Sequence, residues 1–337
     1  MGSASGNERG LQLKRNEAVS FLEQCEDHVW GWMKIGILSN CQHLGLANSI
    51  RALRPAIQVI SFEIVLVALQ GREIPTMEAL GTCDVVIVDP SPGCPPTLSE
   101  EKLKSGTKVL KIPPVLFSGY HPDTIYISTA IGRLQVPAAC GPYQSRLTVA
   151  SYLLGYSPDE TRALFNTFIF GELGYFEEYA KSRALLEKTF RECGLDIGPL
   201  FPGWAKRGCF MHSIDHPKIY VLFDIARLAC QAIGLEVDPR DGRIEMILDN
   251  LMAGHPAMPV YPDIANATGC DGHTMFKCPS DPNIVRLMRM PAFINACFKA
   301  YAEVPKDILL GGDGVEAAVR TLRDIEPRWR INGTEKK

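Results

Sequence analysis

The chain of 337 residues has no low-complexity tract, no long hydrophobic run and no large excess of either charge. Its apolar stretches are too short to cross a bilayer, and its first thirty residues lack the charged-then-apolar order of a secretory signal. We therefore expect a soluble, cytoplasmic protein without a transmembrane segment. A net charge of -3 leaves no broad basic field for nucleic acid. The composition, 46% hydrophobic and 22% charged, is typical of a globular chain.

The cysteines show no paired spacing. There are 11 of them, and an odd number cannot all pair within one chain, so we expect reduced thiols. Cys209, His212 and His216 do form a C-x2-H-x3-H pattern, but no fourth ligand is evident nearby. Pro217 favours the first turn of the following helix, which leaves His216 at the helix cap rather than one turn beyond His212. The sequence therefore predicts no metal site.

The region from about residue 33 to 128 alternates short apolar runs with helical periodicity, which is typical of a parallel, doubly wound sheet. Strands are predicted at 34–38, 58–64, 84–88, 108–112 and 124–128, and helices at 42–53 and around 77–80. After residue 141 helical spacing dominates, beginning at a capping-box pattern, and further helices are predicted at 218–233, 291–301 and 314–325. These patterns indicate an α/β fold with a parallel, Rossmann-like sheet in the N-terminal half and a largely helical C-terminal half.

Three segments follow from this division. Residues 1–30 have the composition of a leader or tag with a short helix. Residues 31–140 form the sheet region, and residues 141–330 form a mostly helical region packed on it. We expect the last two to make one compact unit.

The end of the first strand carries polar side chains where nucleotide-binding folds carry glycines. The stretch "ILSNCQ" contains neither G-x-G-x-x-G nor a P-loop, and places Asn40, Cys41 and Gln42 before a helix. The N-terminus of a helix favours a thiolate at Cys41, and side-chain amides can donate hydrogen bonds to an oxyanion. The plainer alternative is that Asn40 caps the helix and Cys41 packs in the core.

Histidines are the natural bases for such a site. "GYHPD" places His121 and Asp123 after a predicted strand, where a carboxylate can orient an imidazole. Asp123 can equally cap a turn. "MHSIDHPK" places His216 before a strong helix. His121, Asp123 and His216 are therefore candidate catalytic residues together with Cys41.

These motifs occur in an order that resembles the WcbI family of capsular polysaccharide biosynthesis proteins. The resemblance rests on "ILSNCQ", "GYHPD", "GPYQSR" with "LLGYSPDE", and "MHSIDHPK", and extends over about residues 33 to 280. It implies a coenzyme A-binding O-acetyltransferase that modifies a capsule sugar. The family commonly has glycine before Asn-Cys-Gln, where this chain has Ser39. The position of the triplet also resembles the first block of SGNH-type hydrolases and acyltransferases, so an SGNH-like sheet is an equally good expectation.

Coenzyme A requires cations for its phosphates and a narrow channel for its pantetheine arm. Arg146, Lys206 and Arg207 are candidate phosphate ligands, and Tyr143 can stack on adenine or a sugar. Asn40 and Gln42 are expected to contact the cofactor through their amides.

The predicted function is transfer of acetyl from acetyl-coenzyme A to a sugar hydroxyl, with the capsule biosynthesis machinery as an associated partner. Two alternatives remain open at this point. One is an SGNH-like esterase or deacetylase, and the other is a non-catalytic binding subunit of a capsule-assembly complex.

Overall fold

The computed structural model describes residues 33–91, 94–128, 135–237, 254–278 and 286–334, with side chains as far as residue 326. The strands are β1 (Lys34–Ser39), β2 (Gln58–Glu63), β3 (Val85–Val88), β4 (Lys108–Lys111), β5 (Thr124–Tyr126), β6 (Tyr143–Ser145), β7 (Met275–Lys277) and β8 (Leu287–Arg289).

The helices fall into two groups. Those of the sheet region are α1 (His43–Leu53), α2 (Ile64–Leu69) and α3 (Glu73–Leu80), followed by two short 3-10 turns, Pro96–Leu98 and Glu100–Lys102. Those of the helical region are α4 (Arg146–Leu153), α5 (Pro158–Ala163), α6 (Thr167–Glu172), α7 (Glu178–Glu192), α8 (Phe201–Lys206), α9 (Ile219–Ala232), α10 (Pro262–Thr268), α11 (Met290–Tyr301), α12 (Lys306–Leu310) and α13 (Val315–Thr334).

The first four strands form one parallel sheet in the order β2-β1-β3-β4. The two central strands are apolar and almost wholly buried, because helices or loops cover both faces of a parallel sheet. The chain runs from β1 to β2 on one side and then returns to β3 on the other side. The carboxyl end of β1 is therefore a topological switch point, where ligands bind in open α/β sheets. The predicted α/β class and parallel sheet are confirmed.

The fifth predicted strand lies elsewhere. β5 pairs antiparallel with β6 in a separate two-stranded sheet, so its expected continuation of the parallel sheet is wrong. The physical reason lies in the connection after β4, where Pro113 and Pro114 have no N–H to donate to a further ladder. The chain leaves the sheet there, and β5 and β6 bring Tyr126 and Tyr143 side by side.

The helical region is locally well specified by its sequence. The predicted capping box is present at the start of α5, where the Ser157 hydroxyl accepts from the Glu160 N–H and the Glu160 carboxylate accepts from the Ser157 N–H. One hydrophobic cluster contains residues from both sides of residue 141, including Ile37 of β1 and Phe223 of α9. α9 packs directly against α1, and this contact brings the segment before α9 close to the end of β1.

Cys140 and Cys278 are joined by a disulfide, which corrects the expectation that all the cysteines are reduced. Their sequence separation of 138 explains why spacing could not reveal the pair. In the part of the chain that is described, no helix is long and apolar enough to span a membrane. The leader predicted at residues 1–30 lies outside the described residues.

Candidate functional site

Cys41 lies in a tight turn between β1 and α1. The side-chain oxygen of Asn40 accepts a hydrogen bond from the Gln42 N–H at 3.0 Å, and the main-chain oxygen of Asn40 accepts from the His43 N–H at 3.0 Å. These two bonds close the turn and satisfy N–H groups at the start of the helix. Asn40 therefore closes the turn before the helix but does not cap it, because the N-cap of α1 is Gln42 and no side chain accepts a capping hydrogen bond there. Cys41 stays half-buried at the switch point.

Gln42 is buried and holds two other loops in place. Its amide nitrogen donates to the carbonyls of Val115 (3.0 Å) and Asp215 (2.8 Å), and its side-chain oxygen accepts from the Val115 N–H (3.0 Å). Both donor hydrogens are used in these bonds. Gln42 was predicted to contact the cofactor through its amide. In the structure that amide instead fixes the main chain at Asp215, next to the Cys41 turn.

The residues brought to Cys41 by this arrangement are Asp215 and His216. The sulfur of Cys41, a carboxylate oxygen of Asp215 and a ring nitrogen of His216 all lie within 4.8 Å of one another. We call these three side chains the Cys41 cluster. Asp215 is half-buried and His216 is 4% exposed. A thiol and an imidazole from distant parts of the chain therefore meet at the carboxyl edge of the sheet.

The carboxylate of Asp215 is held by three hydroxyl groups. Tyr143 donates to Oδ1 at 2.6 Å and Ser213 donates to the same oxygen at 2.9 Å, while Tyr126 donates to Oδ2 at 2.5 Å. Burial, and then the charge of Asp215, raise the pKa of both tyrosines, so they stay protonated as donors. This network fixes the carboxylate in one orientation beside His216.

The imidazole of His216 is positioned from several sides. Its Nδ1 lies 3.2 Å from the Tyr143 hydroxyl, and the ring donates a hydrogen bond to the main-chain carbonyl of Pro256. The ring of His255 lies 4.7 Å away between centroids. Burial lowers the pKa of His216, while the charge of Asp215 opposes that shift. A neutral imidazole beside a fixed carboxylate can accept a proton and be stabilised once it carries one.

The electrostatics of Cys41 contradict the predicted thiolate. Burial first, and then the negative charges of Asp215 and Glu63, raise the pKa of Cys41 to about 12. The dipole at the start of α1 does not outweigh desolvation and two nearby carboxylates. Cys41 is therefore a neutral thiol in the resting protein.

His121 and Asp123 lie in a different environment. His121 is 2% exposed and its Nδ1 contacts the Pro259 carbonyl at 3.1 Å, and burial lowers its pKa to about 4. The carboxylate of Asp123 accepts from the Leu147 N–H (2.9 Å) and from the hydroxyls of Tyr175 (2.7 Å) and Tyr261 (3.0 Å). Among the described contacts, none joins either residue to Cys41.

A cavity of about 400 Å³ opens beside the Cys41 cluster. Tyr126 and Asp215 line it, Arg146 and the exposed Lys181 contribute its cations, and Glu178 and Asp313 contribute further carboxylates. Arg146 also donates to the Asp313 carbonyl at 3.1 Å and lies over the Tyr175 ring at 5.8 Å. The cavity thus places two cations, which an anionic ligand requires, among three carboxylates.

The other predicted cations lie away from this cavity. Lys206 and Arg207 are exposed at the end of α8, and the Arg207 guanidinium stacks on Tyr220 at 4.0 Å. Neither residue lines the cavity beside Asp215. The residues of the C-x2-H-x3-H pattern do not form one cluster of metal ligands. Among the described residues, His216 clusters with Cys41 and Asp215 rather than with Cys209 and His212.

Sequence reasoning did not select Asp215, Tyr126 or Lys181. Asp215 precedes a selected histidine, and that adjacency was a usable signal. Tyr126 and Lys181 carried none, because their positions depend on the β5-β6 pairing and on the packing of α7.

Comparisons with known proteins agree with this architecture. The sequence model of a family described as "Polysaccharide biosynthesis enzyme WcbI" matches residues 34–238, more than half of the chain. A solved structure of WcbI, described as a polysaccharide biosynthesis enzyme in its native form without a disulfide bond between coenzyme A and one of its cysteines, is similar with a TM-score of 0.65 and 14% identity. The likeness covers 87% of this chain and 98% of that one. No curated protein matches the chain.

Proposed function

Because the chain belongs to the WcbI family of polysaccharide biosynthesis enzymes, we propose that it transfers an acetyl group from acetyl-coenzyme A to a hydroxyl of a capsular polysaccharide sugar or of its precursor. The observation that carries the proposal is the Cys41 cluster, in which a thiol, a carboxylate and an imidazole meet beside a cavity at the switch point of the sheet. The similar WcbI structure, whose description names coenzyme A together with a cysteine, supports the choice of acyl donor. The reaction belongs in the cytoplasm, where this donor is made.

The cavity beside Asp215 fits the arm of the donor in size and carries two cations for its phosphates. Its volume of about 400 Å³ accommodates an acyl-pantetheine arm, and Arg146 and Lys181 provide cations for the phosphates. Arg146 already donates to the Asp313 carbonyl and lies 4.0 Å from its carboxylate, which makes Lys181 the stronger of the two candidate phosphate ligands. When bound, acetyl-coenzyme A supplies an activated thioester carbonyl as the electrophile.

His216 is the proposed general base. It removes the proton of the acceptor hydroxyl as that oxygen attacks, and it later returns the proton to the departing thiolate, so the imidazole ends neutral. Its lowered pKa keeps it unprotonated at neutral pH, and Asp215 stabilises the imidazolium while it exists. Tyr126 and Tyr143 act through Asp215 as positioning residues.

Cys41 acts here as a neutral lining group rather than as an acyl carrier. A thiol with a pKa of about 12 is a poor nucleophile at pH 7, which favours direct transfer from donor to acceptor. In the Asn40 side chain only the oxygen takes part in a described hydrogen bond, so its NH2 group and the Cys41 thiol are the donors at this turn for a developing oxyanion.

The testing experiment measures donor binding first and chemistry second. Coenzyme A should raise the unfolding midpoint of the wild-type protein, since a ligand that binds only the folded state stabilises it, and an equal concentration of ATP should raise it less. Labelled acetyl should then pass from acetyl-coenzyme A to a mixed panel of sugar acceptors. No shift with millimolar coenzyme A would overturn the proposal.

Two further outcomes separate the alternatives. Turnover of a chromogenic acetyl ester that does not depend on coenzyme A would assign the chain to esterases or deacetylases. Loss of capsule acetylation in cells after surface substitutions, but not after His216→Asn, would assign it to non-catalytic subunits.

A further inference from the structure

The Cys41 cluster has the donor set of a transition-metal site. Sulfur, imidazole nitrogen and carboxylate oxygen are all ligands of Zn²⁺, and three protein ligands with an open fourth position are typical of zinc sites that exchange ligands. We propose that Cys41, Asp215 and His216 bind a thiophilic divalent cation, with Zn²⁺ as the reference ion, and that the bound ion reversibly blocks the site. One ligand atom of each residue already lies within 4.8 Å of the other two, so the backbone does not have to move to bring them together.

Asp215 retains an oxygen lone pair for a metal. Its Oδ1 accepts from Tyr143 and Ser213, whereas its Oδ2 accepts only from Tyr126 among the described contacts. An ionised carboxylate offers about four lone-pair positions, so Oδ2 can bind the ion while the tyrosine contact persists. The hydroxyl network then serves as an outer shell that fixes the ligating carboxylate.

His216 has the outer contact that metal-binding histidines usually have. Its ring donates a hydrogen bond to the main-chain carbonyl of Pro256, which leaves the other ring nitrogen as an acceptor. A main-chain carbonyl in this role sets the tautomer and the ring orientation of the ligand. One ring nitrogen is therefore left with a lone pair for a metal, in a ring that lies in the Cys41 cluster.

The local charge also favours a dication. Three carboxylates, those of Asp215, Glu63 and Asp89, act on the Cys41 sulfur with negative charge. His255 is the titratable ring next to His216, and its own side chain is exposed. A dication at the cluster would relieve repulsion among these groups, whereas a resting thiolate would add to it.

The binding step is balanced without an oxidant. The Cys41 S–H bond breaks, the proton goes to solvent, and a metal–sulfur bond forms, with no change in oxidation state. At neutral pH, where an ordinary cysteine is protonated, binding through a thiolate should release about one proton per ion. That stoichiometry distinguishes a thiolate-ligated ion from one held by carboxylates and imidazoles alone.

The test uses Co²⁺ as a spectroscopic substitute for Zn²⁺ in the full-length wild-type protein. A near-ultraviolet charge-transfer band should report a cobalt–thiolate bond, one equivalent of Zn²⁺ should remove it, and calorimetry in buffers of different ionisation enthalpy should detect proton release. Cys41→Ser should abolish the band, and His216→Asn should weaken Zn²⁺ binding at least tenfold. Cys209→Ser is the matched control and should keep both signals.

Three results would overturn the inference. They are the absence of a cobalt–thiolate band in the wild-type protein, its persistence in Cys41→Ser, and its loss in Cys209→Ser. The claim of inhibition alone rests on the proposed function, and it predicts that Zn²⁺ suppresses acetyl transfer and that a chelator restores it. Metal binding without an effect on transfer would contradict the blocking role, whereas absence of all transfer activity with an intact cobalt signal would count only against the proposed function.

Discussion

Two short segments of this chain pair an aspartate with a histidine and a proline, and the structure uses them in opposite ways. In 121–123 the carboxylate of Asp123 is 2% exposed and accepts hydrogen bonds from three donors of distant segments. In 215–217 the carboxylate of Asp215 lines a cavity and lies beside a thiol. We call these the sealed pair and the open pair.

The difference between the pairs comes from their surroundings rather than from their residue types. Both carboxylates accept from two tyrosine hydroxyls. In the sealed pair the hydrogen bonds end in the core, where they join α4, the segment before α7 and the segment before α10. In the open pair one side of the network faces a cavity of about 400 Å³. A polar cluster becomes a candidate for chemistry when a ligand can reach it.

The sharpest test of this comparison replaces each of the two histidines by asparagine in a separate variant. His216→Asn should lower kcat/KM for acetyl transfer by about 100-fold or more, which is the usual contribution of a general base. His121→Asn should leave kcat of the folded fraction within about fivefold while it lowers the unfolding midpoint. Steady-state kinetics with each variant, normalised to the folded fraction by circular dichroism, measures both effects. Equal losses of kcat in the two variants would break the distinction.

The sealed pair should dominate stability. Asp123→Ala removes the acceptor of one N–H and two buried hydroxyls, and we expect it to lower the free energy of unfolding by about 3 to 5 kcal/mol. Asp123→Asn is the matched control, because an amide oxygen can still accept from Leu147 and Tyr175, so only the bond from Tyr261 to Oδ2 is lost. Urea titrations of both variants test this order. If Asp123→Ala lost less free energy of unfolding than Asp123→Asn, the hydrogen bonds to Asp123 would not stabilise the fold.

The sequence was sufficient for features that arise from local patterns. The apolar runs of β1 and β3 predict buried parallel strands, and Ser157 with Glu160 predicts the start of a helix. It also singled out Cys41 and His216, which the fold brings together, because a polar turn after a first strand and a histidine before a helix are local signals.

The rest depended on contacts between distant segments. Periodicity could not show that β5 pairs with β6, or that the Gln42 amide would donate to the carbonyls of Val115 and Asp215. The thiolate prediction failed because it weighed a helix dipole without the desolvation and the carboxylates that surround Cys41 in the folded chain. Charge in a partly buried site is set by all neighbours, and the neighbours are known only from the fold.

The sealed pair should also make stability sensitive to acid. Burial lowers the pKa of His121 from 6.5 to about 4 in the folded state, so the unfolded chain binds a proton at higher pH than the folded chain. The contribution of His121 to the free energy of unfolding is fully present above pH 6.5. It falls as the pH drops toward 4, by about 2 kcal/mol between pH 7 and pH 5. Urea titrations at the two pH values should show a smaller difference for His121→Asn than for the wild type. Gln42→Leu, a destabilised variant without a titratable change, should keep the wild-type difference.

The smallest expected effect concerns the cations, and it tests whether the ligand enters through the open pair. Lys181 lines the cavity beside Asp215, whereas Lys206 is exposed at the end of α8 and does not. Lys181→Ala should weaken coenzyme A binding about fivefold, or about 1 kcal/mol, because one charge-assisted phosphate contact is lost at a solvent-exposed position. Lys206→Ala should change the Kd less than twofold, and added salt should narrow the gap between the variants. The reverse order in calorimetric titrations would place the phosphates at α8, and the cavity beside Asp215 would then have to serve the acceptor instead.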